Sequence, residues 1–102
     1  MIFLKELSFQ VEHKLGAAQA KKRLCEKIEE LKDEFEGKFE LESDWNGYEF
    51  SFRVKAQGLK TEGILKIDDR NVFIRSTLPL IAVAFKKRIE DTLREQLKTL
   101  LE

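Results

Sequence analysis

The sequence predicts an α+β fold in the order β-α-β-β-β-β-α, with an antiparallel five-stranded sheet carrying two helices on one face. Three observations lead there. Apolar and polar residues alternate with a period of two over residues 2–12 and again over 38–78. The apolar spacing lengthens to three and four over residues 17–36 and again after the sole proline, Pro79. The breaks between blocks fall at Gly16, Gly37, Asn46-Gly47, Gly58 and Asp68-Asp69-Arg70-Asn71, all residue types that accept turn geometry.

In the first strand Phe3, Leu7, Phe9 and Val11 share one face, and Glu6, Ser8, Gln10 and Glu12 take the other. Lys5 interrupts the apolar face, which places one end of this strand in water. The helix that follows, from Ala17 to about Glu36, carries Ala17, Ala20, Leu24, Ile28, Leu31 and Phe35 on a narrow stripe. One face therefore packs while the charged remainder is solvated, and Gly37 ends the helix. Phe39, Leu41, Ser43 and Trp45 then alternate with acidic residues up to Asn46-Gly47, a strong hairpin signal because both residues accept positive φ. Tyr48, Phe50, Phe52, Val54 and Ala56 form one face of the next strand. The last two strands run over residues 59–67 and 72–78, joined by the Asp68–Asn71 turn. Such one-sided alternation describes an antiparallel sheet with one face covered and one in water.

The second helix is predicted from Pro79 to Leu100, since proline is well tolerated in a first helical turn. Ile81, Ala82, Phe85, Ile89, Leu93, Leu97 and Leu100 share an arc of about 160° and form its core face. Leu80, Val83 and Ala84 lie outside that arc, in an octet from Leu78 to Phe85 that contains no polar side chain. The order of elements is similar to a minimal helix-grip fold, in which a curved antiparallel sheet wraps a C-terminal helix. By that analogy the first strand lies beside the last, in the order 1-5-4-3-2.

At 102 residues the chain makes one domain, burying roughly 65% of the surface an unfolded chain exposes. Nineteen basic and nineteen acidic residues cancel, so no global field attracts nucleic acid or an anionic membrane. No apolar run approaches the ~20 residues that span a bilayer, and Lys5 and Glu6 interrupt anything resembling a signal peptide. A single cysteine, Cys25, suits a reducing compartment. The expectation is a cytoplasmic protein without a cofactor.

Catalytic parts are scarce. His13 is the only histidine, so one chain cannot build a histidine pair or a zinc site from several; a polar or capping role at the helix entry is expected. Cys25 lies to the side of its helix stripe, with no pattern that would activate a thiolate. Asp68-Asp69 reads as turn chemistry, and the glycines make no phosphate loop. Glu40, Glu42, Glu49, Arg53, Lys55, Lys60, Glu62, Lys66 and Arg75 are expected to dress the outer sheet face, their mixed signs fitting cross-strand pairing and edge protection. Gly63 falls among inward residues, where it lets a helix approach closely or leaves space. The inward aromatics, Phe9, Phe39, Trp45, Tyr48, Phe50, Phe52 and Phe85, fill a core; the alternative is an apolar pocket lined by Phe50, Phe52, Gly63 and Phe85.

His13-Lys-Leu15 leading into a helix with Ala17, Ala20, Arg23 and Leu24, then Gly63-Ile-Leu65-Lys-Ile67-Asp68, Val72, Leu78-Pro79-Leu80, Lys86 and Ile89-Glu90 resembles the polyhydroxyalkanoic acid system family, small bacterial proteins encoded near polyester-granule genes. The likeness covers nearly the whole chain. The family has no established catalytic residues to carry over. What the resemblance implies is a bacterial protein associated with polyhydroxyalkanoate granules or their coat proteins.

Two functions from different classes are therefore expected. The first is a non-enzymatic interaction protein whose partner surface comprises Leu80, Val83 and Ala84 with Ile64 and Phe73, facing a hydrophobic granule surface, a coat protein or a second copy in a homodimer. The second is a carrier of an acyl-type ligand held between sheet and C-terminal helix.

Overall fold

A computed structural model describes residues 5–56, 58–78 and 84–102. The elements are β1 (Lys5–Glu12), α1 (Ala17–Glu34), β2 (Glu40–Asn46), β3 (Glu49–Ala56), β4 (Leu59–Ile67), β5 (Asn71–Leu78) and α2 (Lys86–Leu100). The five strands form one sheet in the order β1-β5-β4-β3-β2, every neighbouring pair antiparallel. This is the predicted architecture.

Strand alternation produces the layering. Leu7, Phe9 and Val11 of β1, Val72, Ile74 and Leu78 of β5, Leu65 and Ile67 of β4 and Phe50 of β3 are buried on the inner face. Ala20 and Leu24 of α1 and Leu97 of α2, with Leu101 just past its end, close over them. Leu7, Val11 and Val72 are fully enclosed, each such side chain contributing about 2 kcal/mol. α2 lies along β1, where the Arg94 guanidinium sits 5.3 Å from the centre of the Phe9 ring and donates to Glu90 at 2.9 Å. α1 meets the sheet chiefly at β4.

The outer face carries the expected ladder. Arg53 reaches Glu62 at 3.0 Å and Glu42 at 3.7 Å, and Arg75 reaches Glu6 at 3.1 Å. These pairs are solvent-exposed and contribute little each; their register gives the alternating charges their order. Along edge strand β2 the outward positions are Glu40, Glu42 and Asp44.

Three sequence expectations need correction. The centre of the β2–β3 hairpin is Gly47-Tyr48, because Asn46 pairs with Glu49; Gly47 has a positive φ, 62°. That shift sets Trp45 opposite Phe50, ring centres 4.9 Å apart, and leaves Tyr48 exposed rather than inward. Lys21 explains the gain: its Nζ donates to Gly47 O at 2.6 Å, lying 5.0 Å from the Trp45 ring centre and 5.5 Å from that of Tyr48.

Second, α2 runs over Lys86–Leu100 with Ala84-Phe85 in a 3₁₀ turn ahead of it, where the expected helix already included both residues. No side chain caps this end, and the apolar octet offers no oxygen to satisfy first-turn N–H groups. Phe85 therefore does not continue the helical phase. It is 56% exposed, against an expected core position. Pro79, Leu80, Ile81, Ala82, Val83 and Phe3 lie outside the described residues.

Third, Gly63 admits a ring and not a helix. It pairs with Phe52 across β3–β4, and a Cβ there would come within 2.9 Å of the Phe52 Cε1 and 2.7 Å of the Arg75 carbonyl oxygen. Phe52 lies across the bare backbone of its neighbour.

Candidate functional site

The two helices define a dry end and an open end. Arg23 of α1 donates to Leu100 O at 3.0 Å and to the main-chain oxygen of Glu102, so the start of α1 meets the finish of α2. The fully buried residues of both helices cluster near that junction. On α1, Ala20 and Leu24 are buried, Ile28 is half-buried, Leu31 is 36% exposed and Phe35 is half-buried. On α2, Leu101 and Leu97 are buried, Leu93 is 36% exposed and Ile89 is half-buried against the core. The sheet repeats the trend in the same direction. Ile67 and Leu65 of β4 are buried, Gly63 and Thr61 half-buried, and Leu59 is 45% exposed. On β3, Phe50 is buried while Phe52 and Val54 are half-buried. Among the described residues the interior is thus a wedge, closed at the β2–β3 and β4–β5 turns and less covered at a mouth toward the β3–β4 turn. By the direction of their elements Leu31, Leu59 and Phe85 lie toward that mouth, with Leu93 at the middle of α2. Leu7 and Leu78 remain buried at that end, so the opening lies on the side of β3 and β4.

Of the residues expected at a partner surface, Leu80 and Val83 lie outside the described residues and Ala84 is exposed at the start of the 3₁₀ turn. Ile64 and Phe73 sit on the outer sheet face, opposite the helices. There they make an apolar island beside the Arg75–Glu6 pair. Of the expected pocket residues, Phe50 is core, Phe52 covers Gly63, and Phe85 stands at the mouth. Leu31, Leu59 and Leu93 belong to the candidate site although periodicity assigned each to a core face. The usable signal for Leu31 and Leu59 was position: each lies toward the end of its apolar run farthest from the helix junction, whereas Leu93 lies mid-run and carried no such signal.

The closed end is built around His13. Its ring is buried. Nδ1 accepts from the Leu15 N–H at 3.2 Å and Nε2 donates to Asp68 O at 2.9 Å, which describes a neutral ring with its proton on Nε2. The main chain adds His13 N–H to Arg70 O at 2.8 Å, and Asp69 Oδ1 accepts from the Ala17 N–H at 3.1 Å, capping α1 from across the molecule. Asp68 Oδ1 accepts from the N–H groups of Arg70 and Asn71 at 2.9 and 2.6 Å. Both ring nitrogens of His13 are thereby committed to backbone, so the cluster holds the α1 entry to the β4–β5 turn.

The N–H groups of Arg70 and Asn71 favour the ionised Asp68 carboxylate and lower its pKa. A group with a lowered folded pKa stabilises the fold above its ordinary value, 3.8, and loses that contribution as pH falls through the folded value. Asp68→Asn is accordingly expected to flatten the decline of the urea midpoint below about pH 4. An unchanged acid limb would show that the turn does not depend on this charge.

Among the described residues, no group of three or more His, Cys, Asp or Glu is placed to hold a metal ion, and no helix is long and apolar enough to cross a membrane. Cys25 is a half-buried free thiol.

The family described as "putative polyhydroxyalkanoic acid system protein" matches residues 7–101. The chain belongs to this family. The match runs from the first buried leucine of β1 to Leu101 and so takes in both the His13 junction and the open end. No curated protein and no solved structure matches the chain.

Proposed function

We propose that this protein is a non-catalytic bacterial binding module that docks on the hydrophobic surface of polyhydroxyalkanoate granules in the cytoplasm, through the open end of its interior. The carrying observation is that the buried residues of α1, α2 and β4 sit toward the junction end, while Leu31, Leu93, Leu59 and Phe85 are exposed. Exposed large apolar side chains on a small protein favour a partner surface, and the family name suggests the granule context. The expected result for Leu93→Glu and Leu31→Glu is at least about a tenfold loss of co-sedimentation with purified granules, because docking would desolvate an unpaired carboxylate. Each leucine is 36% exposed, so the substitutions are expected to cost about 0.5–3 kcal/mol, and urea unfolding identifies the temperature at which both variants are folded for the binding comparison. Unchanged co-sedimentation of the folded variants would remove the proposal.

An acyl-type ligand held on the inner sheet face is the second reading, favoured by the half-buried positions Phe52 and Val54 of β3. It requires the Phe52 ring, which now lies across Gly63, to give way.

A further inference from the structure

We propose that in solution the open end is covered by a second copy of this chain, in a two-fold dimer that pairs the acidic end of each α1 with the basic start of the partner's α2. This deepens the reading of the open end as a docking surface by naming what occupies it away from a granule.

The charges around the mouth are segregated. Residues 29–36 hold Glu29, Glu30, Asp33, Glu34 and Glu36 against Lys32 alone. α2 opens with Lys86-Lys87-Arg88. α1 runs toward the open end and α2 away from it, so the acidic block and the basic block both border the mouth. Among the described residues, the ion pairs of the acidic block stay within α1, Glu30 with Lys27 and Glu29 with Lys32. None joins Asp33, Glu34 or Glu36 to Lys86, Lys87 or Arg88.

These placements oppose the stability of the helices themselves. A helix favours acidic groups in its first turn and basic groups in its last. Neither helix has an acidic residue in its first turn, α2 starts with three cations, and α1 finishes among carboxylates. Charges set against both helix dipoles at the rim of an apolar opening are accounted for by a partner carrying the reverse pattern. The same chain carries it. A two-fold axis at the mouth brings each acidic block opposite a basic one, twice per interface, and buries Leu31, Leu59, Leu93 and Phe85 against their counterparts. The net charge of zero leaves no long-range repulsion between copies.

Two charge-reversed variants test this, K86E/R88E and E34K/E36K. All four substitutions move toward the helix-dipole preference, so folding should be retained. Sedimentation equilibrium should find the wild type at twice its 12.0 kDa, dissociating more readily as salt rises. Each variant alone should show at least about a tenfold weaker dimer. An equimolar mixture should restore it, with native mass spectrometry finding one copy of each variant. A monomeric wild type, or variants that dimerise as well as the wild type, would overturn the proposal. Granule co-sedimentation of the same variants separates the two readings, because Leu31 and Leu93 are untouched. Granule binding retained without a dimer sinks only the dimer; a charge-paired dimer with no granule binding sinks only the granule reading.

Discussion

Replacing His13 by alanine is expected to lower the unfolding free energy by about 3 kcal/mol, read as a shift of the urea midpoint with little change in slope. The imidazole serves two backbone groups at once: it accepts from Leu15 N–H and donates to Asp68 O. Alanine strands both beside a cavity, and each buried polar group left unpaired costs about 1–3 kcal/mol. His13→Phe is the informative control. It fills the space yet satisfies neither group, so it should recover little of the loss. His13→Asn keeps an acceptor close to the backbone and should recover part of it. Full recovery by phenylalanine would mean that the ring acts only as filler and that the polar tie between the α1 entry and the β4–β5 turn is incidental.

Gly63→Ala is the second large effect, expected at about 3 kcal/mol of destabilisation. The added methyl would meet the Phe52 ring and the Arg75 carbonyl oxygen, the latter at 2.7 Å. A ring can rotate or shift. A carbonyl belonging to the β4–β5 ladder cannot move without straining its strand. The double variant Gly63→Ala/Phe52→Leu should therefore be less destabilised than the sum of its two single changes, while keeping the part due to the carbonyl. Strict additivity would show that Phe52 and Gly63 are not coupled across the strands.

The fold was largely legible because five amphipathic strands and one clean helical stripe state their faces directly. Phe9, Val11, Phe50, Leu65, Ile67 and Val72 follow from alternation alone, and all are buried. The partner of Gly63 was also legible in principle: pairing Ala56 with Leu59 around Gly58 and counting outward reaches Phe52. Other features were not. Asn46-Gly47 is a sound hairpin signal, but the one-residue choice of centre depends on Lys21, which approaches from another element. Phe85 fits the α2 stripe only if the helix already exists there, and no capping group starts it. The open end escaped for a related reason. Periodicity says which face of a helix turns inward, and it does not say how far the opposing layer reaches. Leu31 and Leu93 match Leu24 and Leu97 in pattern and differ in what stands opposite.

The carboxylates along β2 bear on what happens when many copies crowd together. A bare strand edge invites sheet-to-sheet extension, the route by which stacked copies become fibres. Two β2 edges meeting antiparallel would bring Glu42 to Glu42 and Glu40 to Asp44, each a like-charge encounter. An edge that could polymerise the protein repels its own kind, so a high local concentration need not seed aggregation from this side.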